Sequence, residues 1–245
     1  MLYDDPDLYD ALLPVSAAQL NYYLNVARPR AGDVLALACG SGQLIAPVAS
    51  TGVSATGLDL SSKMLLAASR RAAASGARVE FVVGDMREFD LGRRFSLIFV
   101  ARNSLLHLSE QDEFAAFFSS VRRHLKPDGV FAFDIFNPSL RLLSRPSGER
   151  FHVMRAISPL HGELTVEETN DYDRHSQVNR ATWFISTAEK RDAWVVPLHL
   201  RSIFPQELLA LLTANGVTLM RRDGDFLGGS FTSTSTNQVC QCRLA

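Results

Sequence analysis

The chain has 245 residues, 47% of them hydrophobic and 21% charged, with a formal net charge of -1. That composition buries a domain-sized core and offers no basic excess for nucleic acid or an anionic membrane surface. No apolar run reaches the ~20 residues of a transmembrane helix, and the opening MLYDDPDLYD is acidic rather than leader-like, so a cytoplasmic protein is expected.

Read in order, the spacing predicts a helix over 16–28 after the break at Pro14, a buried strand in DVLALAC, and a helix from Gly42 to about Ser50. VSATGLDL reads as the second strand. SSKMLLAASRRAAASG reads as a helix started by Ser61 or Ser62 and stopped by Gly76. ARVEFVVGD and FSLIFVA are the third and fourth strands. SEQDEFAAFFSSVRRHLKPDG is a long helix with a Pro-Asp-Gly exit, and GVFAFDIFN is the fifth strand. The paired arginines 70–71, 93–94 and 122–123 read as solvated faces. Near residue 150 the pattern changes to period two through RFHVMRAIS, GELTVEETNDYD, QVNRATWFISTA and AWVVPLHLRSIF, which predicts antiparallel strands with one wet face. A helix (PQELLALLTANG) and two strands (VTLMRRDGD, TNQVCQCRLA) close the chain. Cys240 and Cys242 share a face of the last strand; with no His or Cys set to complete a metal site, they read as reduced structural thiols.

Apolar strands alternating with helices imply a doubly wound α/β sheet covered on both faces. The expected architecture is Rossmann-like. It has seven strands, mostly parallel with the last antiparallel, and an antiparallel β insertion. The main domain takes residues 1–149 and 203–245, and the insertion takes 150–202.

In such sheets ligands bind beyond the carboxyl ends of the strands. The turn in VLALACGSGQL lies there, and Gly40 and Gly42 let backbone approach a ligand. A phosphate loop has weak support, because no Lys-Ser/Thr follows; Ala46, where a dinucleotide site has its third glycine, is small enough to keep that reading open, and a packing turn without ligand is the third reading. Asp59 ends the second strand, 19 residues after Gly40, placed to accept ribose hydroxyls. Asp85 ends the third strand, where a carboxylate can take an adenine amine while the Met86 N–H faces a ring nitrogen.

With these residues, VLALACGSGQL, GLDLSSKML, VVGDMREFDLGRRF, FSLIFVARNSLLHL and FAFDIFNP resemble the successive motifs of class I S-adenosylmethionine-dependent methyltransferases over roughly residues 32–140. YDALLP and RSIFPQEL add a similarity to bacterial small-molecule enzymes, including sugar-nucleotide and natural-product N-methyltransferases. The resemblance implies Ala38, Gly40 and Gly42 against the methionine moiety, Asp59 on the ribose, Leu60 and Met64 near the adenosine, and Asp85 and Met86 on the adenine. It also implies Ala101 beside the cofactor and Tyr9 closing over the sulfonium end. Ala36 departs from the motif, which usually has an acid there. Losing that contact costs on the order of 1.5–3 kcal/mol unless Tyr9, Asn21 or Tyr22 compensates, so restoring Asp at 36 is expected to raise affinity.

Methyl transfer needs near-attack geometry and a proton acceptor, with no fixed catalytic signature. His107 is the first acceptor candidate, against a packing or helix-start role. Asn103 is either a substrate-positioning residue or the start of a turn; Arg102 either holds an anionic group or faces solvent; Asn137 either faces substrate or makes a turn. In the insertion, Trp183, Phe184, Trp194 and Arg201 are candidates for an acceptor wall, with a sheet shared between two copies as the other reading. The expected reaction is methylation of a nitrogen, or oxygen, of a small molecule, without nucleic-acid or membrane partners. A nicotinamide-dependent oxidoreductase and a catalytically weak cofactor-binding protein are the alternatives.

Overall fold

The computed structural model describes residues 2–29 and 32–245. The helices are Pro6–Leu12 (α1), Ala17–Ala27 (α2), Ile45–Ala49 (α3), Ser62–Ala74 (α4), Gln111–His124 (α5), Leu140–Leu143 (α6) and Pro205–Ala214 (α7). The main sheet comprises Val34–Leu37 (β1), Ala55–Asp59 (β2), Val79–Val83 (β3), Phe95–Val100 (β4) and Leu125–Phe136 (β5). The insertion comprises Phe151–Ser158 (β6), Gly162–Thr169 (β7), Tyr172–Asp173 (β8), Val178–Thr187 (β9) and Trp194–Arg201 (β10); Val217–Asp223 (β11) and Asn237–Leu244 (β12) return to the main sheet.

The seven-stranded order is β11-β12-β5-β4-β1-β2-β3, with β12 antiparallel to both neighbours. This is the expected doubly wound architecture with its antiparallel last strand. The insertion is a separate antiparallel sheet, ordered β10-β9-β7-β6, with β8 paired to β9. Alternation along the central strands explains the two-sided burial. Leu35, Leu37, Ile98, Val100, Phe131 and Phe133 share a core with α5 and α7. Val34, Ala36, Leu97, Phe99, Val130 and Ala132 pack on the other side, against α2 and α3. Among the described residues no helix is long and apolar enough to cross a membrane.

One boundary differs from the sequence reading. The long helix stops at His124, and Leu125-Lys126-Pro127-Asp128-Gly129 already belongs to β5. His124 fixes that end: Nδ1 lies 2.8 Å from the Ser120 carbonyl, and Nε2 accepts from the Leu91 N–H at 2.9 Å. The turn residues Pro-Asp-Gly therefore lie in an irregularity of β5, between Leu125 opposite Phe95 and Val130 opposite Leu97, rather than directly at the helix end.

A third apolar cluster joins distant parts of the chain. Leu2, Leu8 and Leu12 pack with Leu164, Val166, Trp183, Ile185 and Val196 of the insertion. The N-terminal segment and the second sheet thus form one cover above the strand tips.

Candidate functional site

The strand order reverses about β1 and β4, and a cavity of about 810 Å³ opens beyond those strand ends, where this topology places ligands. Its floor comes from the main sheet and its roof from the N-terminal segment and the insertion.

The glycine turn follows β1. Its backbone is left-handed at Ala38 (φ 48°), Gly40 (φ 55°) and Gly42 (φ 78°). Ala38 and Gly40 line the cavity. A Cβ built at Gly40 would meet nothing nearer than the Tyr9 ring at 3.9 Å, so the space above this residue is open. Gly42 does different work. A Cβ there would lie 2.9 Å from the Ala68 Cβ, so this glycine lets α4 pack on the turn and is not among the cavity-lining residues. Ala101 also lies apart, lining a void of about 20 Å³ with Ala36, Leu44 and Phe99.

Asp59 stands at the tip of β2. Its Oδ2 accepts from the Gly40 N–H at 2.7 Å and its Oδ1 from the Ser61 N–H at 2.9 Å. These bonds join the first two strand ends and orient the carboxylate. Burial raises its pKa against those backbone bonds. Leu60 and Met64 follow it along the wall, Leu60 largely exposed and Met64 buried. Asp85 and Met86 line the wall from the end of β3. Arg87 holds the Asp85 carboxylate through Nε and Nη2 and also reaches Glu113, which keeps the Asp85 pKa below its ordinary value.

The segment after β4 is bent by two successive left-handed residues, Arg102 (φ 60°) and Asn103 (φ 62°). That conformation is costly outside glycine, at about 1 kcal/mol or more per residue. Hydrogen bonds to β5 hold it: the Arg102 N–H donates to the Asp134 carboxylate at 2.9 Å, the Asn103 N–H to the Asp134 carbonyl at 3.2 Å, and Asn103 Oδ1 accepts from the Phe136 N–H at 2.6 Å. Asn103 is thus a structural clamp that also lines the cavity. The Arg102 guanidinium is not free in solvent. It lies 5.1 Å from the Tyr9 ring centroid and donates to the Leu13 carbonyl. His107 ends the short 3-10 turn Ser104–His107 and meets the Tyr3 hydroxyl at 2.9 Å through Nε2. Burial lowers its pKa, favouring neutral imidazole.

Of the acceptor candidates, Trp183 lines the cavity and donates from Nε1 to the Glu168 carboxylate at 2.5 Å. The structure does not bring Asn137 or Arg201 to the cavity lining. Asn137 donates to the Ser235 carbonyl at 2.9 Å and ties β5 to the loop before β12. Arg201 is spent on the Ser109 carbonyl, at 2.7 Å, and on Glu207, at 2.8 Å. Phe184 carries the Arg150 guanidinium 3.4 Å from its ring centroid, and Trp194 packs edge-on against His161.

Asp134, Glu168 and Asn179 are lining residues that the sequence reading passed over. Asp134 is 3% exposed. It accepts from the Tyr23 hydroxyl at 2.6 Å and from Gln19 Nε2 at 3.3 Å, and burial raises its pKa. The signal was present in FAFDIF: a lone acid in an apolar strand is costly unless partners meet it. Asp134 lies on the same face as Ala36, two strands away. It is a buried acid on that face, held by Tyr23 and Gln19.

Arg71 is likewise not a solvated face. It joins Asp10 at 2.6 Å and donates to the Ser41 carbonyl, while Ser41 Oγ and Gln43 Nε2 donate to Asp10 at 2.5 and 2.7 Å. The network pins α1 to the glycine turn, with Tyr9 above Gly40.

Residues 34–129 match the family described as a methyltransferase domain. The chain is 32% identical over 130 residues to the putative methyltransferase YqeM of Bacillus subtilis, covering 52% of each chain. It is 37% identical over 114 residues to a dTDP-3-amino-3,6-dideoxy-alpha-D-glucopyranose N,N-dimethyltransferase of Streptomyces fradiae, covering 46% of this chain and 43% of that one. The chain thus spans about half the length of these curated relatives. Among solved structures, the CcbJ methyltransferase of Streptomyces caelestis superposes with a TM-score of 0.82 at 27% identity, over 94% of this chain and 97% of that one.

Proposed function

We propose that this chain, which carries a methyltransferase domain over residues 34–129, moves a methyl group from S-adenosylmethionine to a nitrogen of a small-molecule acceptor, with oxygen as the second choice of atom. The observation that carries the reading is the carboxylate of Asp59, fixed by the Gly40 N–H beside an open glycine turn, with Asp85 at the neighbouring strand tip. The domain match favours this over the nicotinamide alternative. Nitrogen is preferred because relatives such as the Streptomyces fradiae protein are named N-methyltransferases.

The residues fit the cofactor by chemistry. Asp59 keeps lone pairs for vicinal hydroxyls, Met86 and Leu60 offer apolar contact to a purine, and the bare backbone at Gly40 leaves room for the amino-acid end. Asp85 shares its carboxylate between Arg87 and an exocyclic amine. The bound cofactor supplies an electrophilic methyl on a sulfonium. The protein holds the acceptor in line and keeps water out, which is where most of the rate of such a displacement originates. Tyr9 and Tyr3 form the roof. His107 Nε2, neutral and hydrogen-bonded to Tyr3, or the Asp134 carboxylate takes the proton released from the acceptor.

Asp59→Ala is the direct test. It removes a charge-assisted acceptor and should weaken adenosylhomocysteine binding by about tenfold or more in calorimetry. Unchanged affinity would refute the reading.

A further inference from the structure

The charge lining the cavity is unbalanced. Among the described lining residues are five carboxylates, Asp59, Asp85, Glu113, Asp134 and Glu168, against two guanidiniums, Arg87 and Arg102. Both guanidiniums are engaged. Arg87 is held between Asp85 and Glu113. Arg102 lies over Tyr9 and donates to the Leu13 carbonyl. No lysine lines the cavity, and the pKa of the one lining histidine, His107, is lowered.

The end roofed by the insertion is built to accept hydrogen bonds. Glu168 on β7 is oriented by the Trp183 N–H at 2.5 Å, and burial raises its pKa. Asn179, 9% exposed, donates through Nδ2 to Asn170 Oδ1 at 2.6 Å. Leu198, Leu200 and Phe136 supply apolar surface around them. A half-buried carboxylate calls for N–H or O–H groups from a ligand. A phosphate calls for the opposite: Arg or Lys donors, or the end of a helix of useful length.

We propose that the acceptor is an amine on an uncharged or cationic skeleton, received by Glu168, and that acceptors bearing a phosphate or diphosphate are excluded. This rests on the methyl-transfer reading and narrows it. It parts this chain from its relatives named for dTDP-linked amino sugars. Each of those names carries a diphosphate, for which this cavity offers no free cation among its described lining residues. Exclusion here is repulsive as well as a missing attraction, because Glu168 and Asp134 face the same space.

The experiment has two stages on the full chain. Calorimetry with adenosylhomocysteine alone reports on the nucleoside site. Absence of binding overturns both readings. With binding established, methylated products are quantified by mass spectrometry for paired amines: glucosamine with glucosamine 6-phosphate, and the methyl glycoside of 3-amino-3,6-dideoxyglucose with its dTDP-linked form. The phosphate-free member should lead in kcat/KM by about tenfold or more. Glu168→Gln keeps an acceptor for the Trp183 N–H and should narrow that preference at least about threefold while adenosylhomocysteine affinity stays unchanged. Equal or better turnover of the phosphorylated member, no turnover in any pair, or an unmoved preference in Glu168→Gln would each overturn the acceptor proposal alone.

Discussion

At position 36 the side chain is 1% exposed, flanked across the sheet by Gly57 and Phe99, within an apolar cluster that includes Tyr23 and Ile45. A void of about 20 Å³ lies beside it. An aspartate there would be a buried charge without a partner, which costs about 3 kcal/mol or more. Ala36→Asp is therefore expected to lower the thermal midpoint by roughly 10 °C, read by calorimetry, without tightening adenosylhomocysteine binding. This replaces the expectation drawn from the motif alone. The reason is packing: Tyr23 stacks at 4.9 Å on Phe99, the cross-strand neighbour of Ala36, and sends its hydroxyl to Asp134. His107 gives a second expectation at this scale. A base whose folded pKa is lowered stays neutral to more acid pH than usual. Its stabilising effect is complete above the unfolded value near 6.5 and is lost as pH falls through the folded value. If His107 accepts the proton, the acid limb of kcat lies below pH 6.5, and His107→Gln removes that limb and reduces kcat by roughly 100-fold. A pH–rate profile of both proteins checks it.

Helix α1 has seven residues, too few to hold together alone. Asp5 caps its start by accepting from the Leu8 N–H at 3.0 Å, but its position comes from Asp10 and the apolar cluster. Arg71→Ala removes a half-buried ion pair and its bond to the Ser41 carbonyl. Amide exchange across residues 8–13 should accelerate about tenfold while α4 keeps its protection, and the KM for S-adenosylmethionine should rise by a similar factor. Hydrogen exchange with mass spectrometry, paired with steady-state kinetics, reads both. The element-level pattern was well expressed in the chain. Apolar runs for β1, β4 and β5, the Ser61 cap and the period-two strands of the insertion each follow from local chemistry. The latch was hidden because Asp10, Ser41 and Arg71 come from three separated segments, and nothing local distinguishes a latched arginine from a solvated one. Arg201 and Asn137 misled for the same reason. Each sits at a strand end, where an active side chain and a tether have the same sequence signature.

Across the whole molecule, the parts of the site closest to the glycine turn were the readable ones. Gly40, Asp59 and Asp85 lie at strand tips whose position topology dictates, so spacing alone finds them. The acceptor end is built by a second sheet whose placement no local pattern announces. Glu168 lies within GELTVEET, one of several similar glutamates. Only the register Glu168↔Trp183 between β7 and β9 sets it facing the indole N–H. Asp134 is the intermediate case: conspicuous in an apolar run, yet without meaning until α2 brings Gln19 and Tyr23 across it.

The shared cluster of Leu2, Leu8 and Leu12 with β7, β9 and β10 has a kinetic consequence. Most of the polypeptide separates these leucines from their partners, so their contact closes one of the longest loops in the chain. The part of the main sheet from β1 to β5 can form first, because its strands follow one another in the chain before the insertion begins. The lid is completed only when the two distant pieces meet, so a newly folding molecule acquires its framework before it acquires a pocket able to exclude water.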